Sequence, residues 1–266
     1  MASTPPVILI LGSGPNIGQH VARAFAAKGY KVALASRSLK EEDSNADQVH
    51  ISADLSDPHS VKGIFSKVKA SLGLPSVVVY NGEHVPHGSL LSKSTDTLEA
   101  SAGAPNNPAD PLSIPLADFS RDLHVNTTSA FVAAQQAALS FDRLPDHRSK
   151  TFIYTGNILN ETTIASLLDG GVGKSATAHI MRSAAAAYSD KGFKYAFPSL
   201  PLAVLKLTKR RFYYADERKA DGTPAYSKIS GEAHGKFYVE LAEHKSQGPW
   251  QQTFVKDVGY RHFPAA

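Results

Sequence analysis

Five consecutive apolar residues, Val7-Ile8-Leu9-Ile10-Leu11, run directly into Gly12-Ser13-Gly14-Pro15. An apolar, β-branched run of this length reads as a strand buried on both faces, as in parallel sheets. The glycines break it. An amphipathic helical pattern follows, with Ile17, Val21, Ala22, Phe25 and Ala26 on one face and a stop at Gly29. Lys31 to Ala35 reads as a second strand. Strand, glycine turn, helix and strand form a βαβ unit, whose crossover is expected to be right-handed.

The alternation persists along the chain. Val49 to Ile51 is a short strand, and Pro58 to Leu72 a helix opened by Asp57 and Pro58. Val77-Val78-Val79-Tyr80 is another buried strand. An alanine-rich helix spans Leu116 to Phe141, followed by a strand at Thr151 to Thr155 and a helix from Val172 to Tyr188. Such alternation implies an α/β fold, a doubly wound parallel sheet in a three-layer α/β/α sandwich, with residues 1–266 as one domain. The loop from Gly103 to Pro115 carries four prolines, at 105, 108, 111 and 115. It is neither helix nor central strand, and reads equally as an insertion beside the site or as a linker.

The C-terminal quarter is less regular, and 195–230 is expected to form an irregular loop region. Phe193 to Phe197 and Arg211 to Ala215 compete for the sixth strand. The apolar segment between them is either a lid or an error of gene assembly. Gly231 to Glu243 reads as a helix and Trp250 to Val255 as the last strand.

Composition removes whole classes of function. The chain has 266 residues, 42% of them hydrophobic and 20% charged, which excludes wholesale disorder. No apolar run approaches the roughly 20 residues that span a bilayer. The N-terminal MASTPP lacks a basic leader region, so the expectation is a cytoplasmic protein without a membrane partner. There are no cysteines, which removes disulfides, thiolate metal sites and cysteine nucleophiles. Eleven histidines show no metal-ligand spacing. A net charge of +4 decides nothing, and the short basic run Lys206 to Arg211 reads as a solvated loop, so no nucleic-acid partner is expected.

The turn Gly12-Ser13-Gly14-Pro15-Asn16-Ile17-Gly18 has the spacing by which backbone N–H groups and a helix dipole meet a pyrophosphate. It resembles the TGxxxGxG turn of the short-chain dehydrogenase/reductase superfamily, with Leu11 for the threonine and Asn16 for the middle glycine. Other segments match in order over about residues 5 to 192. Asp54-Leu55 follows the third strand, where that family contacts adenine. Asn81-Gly82 resembles the end of its NNAG segment, and Asn126 in His124-Val125-Asn126 its mid-helix asparagine. Lys174-Ser175-Ala176 looks like the segment after its catalytic tyrosine.

The resemblance implies a Rossmann fold, an NAD(P) cofactor, a small-molecule substrate with a substrate loop within 195–230, and a homodimer or homotetramer pairing through two helices. It assigns Gly12, Ser13, Gly14, Asn16, Ile17, Gly18, Asp54, Leu55, Asn81, Gly82 and Lys174 to the cofactor. Where NAD-binding relatives end the second strand with a carboxylate, this chain has Ser36-Arg37-Ser38, eighteen to twenty positions past Gly18. A cation in place of the acid matches a 2′-phosphate, so NADP is expected.

The catalytic pattern departs from the family's. Four residues before Lys174, in the tyrosine slot, stands Gly170, and seventeen before it, in the serine slot, Asn157. Asn126 and Lys174 remain. The expected catalytic set is therefore Asn126, Asn157, Asp169 and Lys174. Asn157 would polarise the acceptor, and water or Asp169 would supply the proton. Asp169 reads equally as a helix cap. Tyr154 is disfavoured because strand alternation turns it away from Thr155, and His84 and His87 are candidates for the pocket wall. The leading expectation is NADPH-dependent reduction of a carbonyl or imine. The alternative is an NADP-binding cyclase-type enzyme or nucleotide-sensing regulator.

Overall fold

A computed structural model describes residues 4–82, 107, 109–188 and 209–264. Eight strands form one sheet in the order β3-β2-β1-β4-β5-β6-β7-β8. They are β1 (Val7–Leu11), β2 (Lys31–Ser36), β3 (Gln48–Ser52), β4 (Val77–Tyr80), β5 (Thr151–Thr155), β6 (Arg211–Arg218), β7 (Gln251–Val255) and β8 (Gly259–Tyr260). All neighbours run parallel except β7 and β8. The order reverses between β1 and β4, as a doubly wound sheet requires.

Strand alternation sorts the core into two layers. Leu9, Leu11, Ala33, Val78 and Phe152 face helices α2 (Ser60–Ser71), α4 (Ser129–Phe141) and α5 (Leu168–Tyr188). Ile8, Ile10, Leu34, Val79 and Tyr213 face α1 (Ile17–Ala27) and α6 (Gly231–Glu243). With both faces covered, the central strands carry apolar side chains at nearly every position. That is the continuous pattern seen in the sequence.

Four local readings change. The alanine-rich helix is α3 (Leu116–Leu123) and α4 joined by a π-helical turn at His124–Thr128. Helix α5 starts at Leu168, a turn earlier than expected, and absorbs Gly170, Gly171 and Gly173. At Gly173 a Cβ would lie 2.5 Å from Cβ of Asn126, so glycine is what lets the two helices approach. The sixth strand is Arg211–Arg218, extending three residues past the expected end. Strand β8 was not expected. Phe193 to Phe197, the segment 195–208, His84 and His87 lie outside the described residues.

Candidate active site

The glycine turn is built by crowding. Gly12 has φ +88°, and a Cβ there would sit 2.2 Å from the carbonyl oxygen of Asn81. At Gly18 a Cβ would fall 2.6 Å from Cα of Ser13, whereas at Gly14 it would meet nothing within 4 Å. The turn is thus packed from behind and open in front. Asn81 ties it to β4: its N–H donates to Leu11 O at 2.7 Å and its amide Nδ2 to Gly12 O at 2.8 Å. Asn16 is engaged elsewhere. Its Oδ1 accepts from the Gly231 N–H at 2.9 Å and its Nδ2 donates to Ile229 O at 3.1 Å, joining the starts of α1 and α6.

At the end of β2, Ser36 is half-buried and its Oγ has no hydrogen-bond partner among the described residues, while Arg37 and Ser38 are exposed. Asp54 is exposed beside β3, its Oδ1 accepting from Ser56 N–H, and Leu55 is buried.

Asn126 lies in the π turn, where the helical ladder is locally interrupted and carbonyls are released. Side chains from the sheet and α5 satisfy them. Tyr80 OH donates to Val125 O at 2.6 Å, and Tyr154 OH and Thr177 Oγ1 donate to Asn126 O at 3.1 and 2.6 Å. Tyr80, Tyr154 and Tyr214 occupy aligned positions on β4, β5 and β6, with ring centroids 5.8 and 5.5 Å apart. Gly156 admits the last ring, since a Cβ there would lie 2.1 Å from it. Lys174 is buried, its Nζ 4.8 Å above the Tyr154 ring and donating to Thr155 O at 3.2 Å. Tyr154 itself is fully buried, on the face opposite the cleft.

Asp169 does not cap α5; it lies inside the first turn, with Oδ1 accepting from Gly170 N–H. Its carboxyl is hydrogen-bonded to Asp122, whose own pKa is raised by burial and by that neighbour. Both are buried.

A narrow cleft enclosing about 40 Å³ opens at the carboxyl ends of β5 and β6. That is room for a water or two. Ile17, Thr155, Gly156, Asn157, Asp216, Glu217 and His234 border it. The structure therefore brings Asn157 to the cleft with the nucleotide turn, while Asn126, Asp169 and Lys174 are not on its wall. The Oδ1 of Asn157 accepts from Leu159 N–H at 3.0 Å, which orients the amide nitrogen as the donor end.

Three ionisable residues on that wall escaped the sequence reading. Asp216 is bonded to the Arg218 guanidinium, which also reaches Glu161 at 3.1 Å; burial pushes Asp216 up to about 7 against that cation. Glu217 Oε2 accepts from the Ser230 N–H at 2.7 Å, and burial raises Glu217 to about 7. His234 Nδ1 lies 2.9 Å from Ser230 O and 3.3 Å from Glu217 Oε2. Burial lowers its pKa to about 4, so the ring is neutral, and because Ser230 O can only accept, Nδ1 carries the hydrogen. The available signal was the run Ala215-Asp216-Glu217-Arg218: charged residues at the carboxyl end of a parallel strand stand where doubly wound sheets place their ligands.

Comparison with known proteins agrees with this fold. The short chain dehydrogenase family matches residues 6–194. Short chain dehydrogenase/reductase dmxR12 of Cryptosporiopsis sp. (strain 8999) is 45% identical over 260 residues, 98% of this chain and 96% of that protein. A 3-oxoacyl-[acyl-carrier protein] reductase from Brucella melitensis shares the fold with a TM-score of 0.68 at 14% identity, covering 96% of this chain and 97% of the other. An alcohol dehydrogenase from the archaeon Thermococcus sibiricus, solved with 5-hydroxy-NADP, has a TM-score of 0.62 at 16% identity, covering 97% and 99%.

Proposed function

The chain belongs to the short chain dehydrogenase family, and on that premise we propose that it is an NADPH-dependent oxidoreductase reducing a carbonyl or imine of a small organic molecule. The observation that carries the cofactor choice is the end of β2. An unpartnered Ser36 Oγ and an exposed Arg37 stand where a carboxylate would select NAD. The turn fits the dinucleotide as well, crowded at Gly12 and Gly18 and open at Gly14.

When bound, the reduced nicotinamide supplies the hydride. The chain's own groups do the rest. The backbone N–H groups of Asn16, Ile17 and Gly18, at the start of α1, would hold the pyrophosphate, with Ser13 and Gly14 shaping the turn beneath it. Arg37 pairs with the 2′-phosphate, flanked by Ser36 and Ser38, while Asp54 and Leu55 border the adenine. Ile17, Asn81 and Gly82 line the nicotinamide side, and Lys174 holds the ribose hydroxyls. Asn157 donates its amide hydrogen to the acceptor oxygen or nitrogen and polarises it. Asn126, packed against Gly173 one residue before Lys174, belongs with Lys174 to the catalytic set. Phe131 and Leu139 on α4 and Val172 on α5 are exposed apolar residues, and we assign them to a homodimer or homotetramer interface. Light scattering at micromolar concentration should show more than a monomer.

Gly170 in the tyrosine slot favours a second reading, an NADP-binding cyclase or sensor without redox turnover. Following NADPH consumption over a panel of ketones, aldehydes and imines separates the two. We expect turnover with at least one class and weaker NADPH binding in Lys174→Ala. Tight NADPH binding with no consumption across the panel would overturn the reductase and leave the second reading.

A further inference from the structure

The family's tyrosine position holds glycine, and the cleft must obtain its proton elsewhere. We propose that Glu217 is the catalytic acid of the cleft, delivering a proton to the heteroatom of the substrate; this rests on the reductase reading. Four observations carry it. Glu217 lines the cleft together with Asn157. Its side chain is only 3% exposed. Its Oε2 accepts from Ser230 N–H and lies 3.3 Å from His234 Nδ1, which holds that end of the carboxyl in place. Its Oε1 has no hydrogen-bond partner among the described residues, and it is the oxygen left for whatever occupies the cleft.

The neighbouring carboxyls are less suited. Asp216 is committed to Arg218, and Asp122 and Asp169 face each other away from the cleft wall. The charged and titratable groups facing Glu217 are Asp216 on its own strand, Lys256 after β7, and His234 and Tyr238 on α6. Burial outweighs Lys256 and the Ser230 N–H and raises the Glu217 carboxyl to about 7, so a fraction near neutrality holds a proton. Neutral His234 adds no charge to hold it ionised.

The step balances. Reduction of C=O or C=N adds one hydride and one proton. The hydride, from the bound reduced nicotinamide, forms the new C–H bond. The O–H bond of the Glu217 carboxyl breaks, and its proton forms the O–H or N–H bond of the product. Glu217 is left as a carboxylate and regains a proton from solvent through the water-sized cleft.

The test is Glu217→Gln, read by turnover, pH profile and binding. We expect kcat to fall roughly 10² to 10⁴-fold, the usual worth of a general acid. The wild-type rate should decline as pH rises through about 7, and the variant should lose that limb. NADPH affinity, read by cofactor fluorescence, should stay within about threefold, well inside one tenfold step of 1.4 kcal/mol. Unchanged kcat with the limb retained would overturn the proposal. If glutamine prevents folding, Glu217→Asp carries the test: a slower rate with the limb retained supports the proposal, and an unchanged rate contradicts it. If the wild type reduces nothing, the reductase reading has failed on its own, and a carboxyl infrared difference titration of wild type against Glu217→Gln still decides Glu217. Protonation persisting to about pH 7 supports an acid poised in the cleft, and ionisation near the ordinary value of about 4.3 removes it.

Discussion

Glycine and tyrosine define each other at the carboxyl end of β5. Gly156 leaves space that the Tyr214 ring fills, and Tyr214 returns two hydrogen bonds to the backbone of Asn157, accepting from its N–H at 3.1 Å and donating to its carbonyl at 2.7 Å. Asn157 is thereby aimed into the cleft by a residue on the neighbouring strand. Gly156→Ala drives a methyl to 2.1 Å from that ring, and overpacking of a filled core costs roughly 1–3 kcal/mol. Chemical denaturation should show that loss, together with reduced turnover because Asn157 is displaced. Glu217 makes a second residue-scale prediction. Its folded pKa, about 7, is above the ordinary 4.5, so it favours the fold fully below the ordinary value and loses that contribution as pH rises through about 7. Glutamine does not titrate. The melting temperature of the wild type relative to Glu217→Gln should therefore fall between about pH 4.5 and pH 7 and level off above; a flat difference would contradict the assignment.

The π turn at His124–Thr128 is an element that only works with its neighbours. Three donors from β4, β5 and α5, namely Tyr80, Tyr154 and Thr177, take up the carbonyls it releases at Val125 and Asn126. Tyr80→Phe keeps the stacked ring and removes the side-chain donor to the buried Val125 O. That should cost about 1–3 kcal/mol by urea denaturation, whereas loss under about 0.5 kcal/mol would show that the turn does not depend on the tyrosines. This is where sequence reading stops. Strands β1, β4 and β5 were legible because burial on both faces demands uninterrupted apolar runs. Helix α6 has the bounds read from the sequence, and the structure adds its cap, Ser230, whose Oγ accepts from Ala233 N–H. The π turn leaves no trace in periodicity. The early start of α5 was hidden by Gly170 and Gly171, which disfavour helix locally. The tyrosine ladder becomes visible only when β4, β5 and β6 are placed in register.

At the scale of the molecule, strand order places the chemistry. The reversal between β1 and β4 opens the crevice where the glycine turn and Asn81 meet, and the carboxyl ends of β5 and β6 continue it to Asn157, Asp216 and Glu217. Asn16, bonded to Gly231 N–H and Ile229 O, locks the nucleotide turn to the helix that carries His234. Cofactor binding and the acid cluster are thus mechanically joined through α1 and α6. Among the described residues no helix is long and apolar enough to cross a membrane, and no group of histidine and carboxylate side chains could hold a metal. The glycine turn proposed for the cofactor could be read from the sequence because phosphate binding depends on backbone and glycine spacing. The proton-handling half was not, because its residues come together only through the pairing of β5 with β6.

Calorimetric titration of NADPH and NADH into the wild type and Arg37→Asp bears most directly on the central claim, an NADPH-dependent enzyme. The account predicts that the wild type binds NADPH more than about tenfold tighter than NADH, a difference above about 1.4 kcal/mol. Arg37→Asp should abolish or reverse that preference, since a carboxylate accepts from the 2′-hydroxyl and repels the 2′-phosphate. Equal wild-type affinity for the two cofactors, or a preference for NADPH untouched by the substitution, would contradict it.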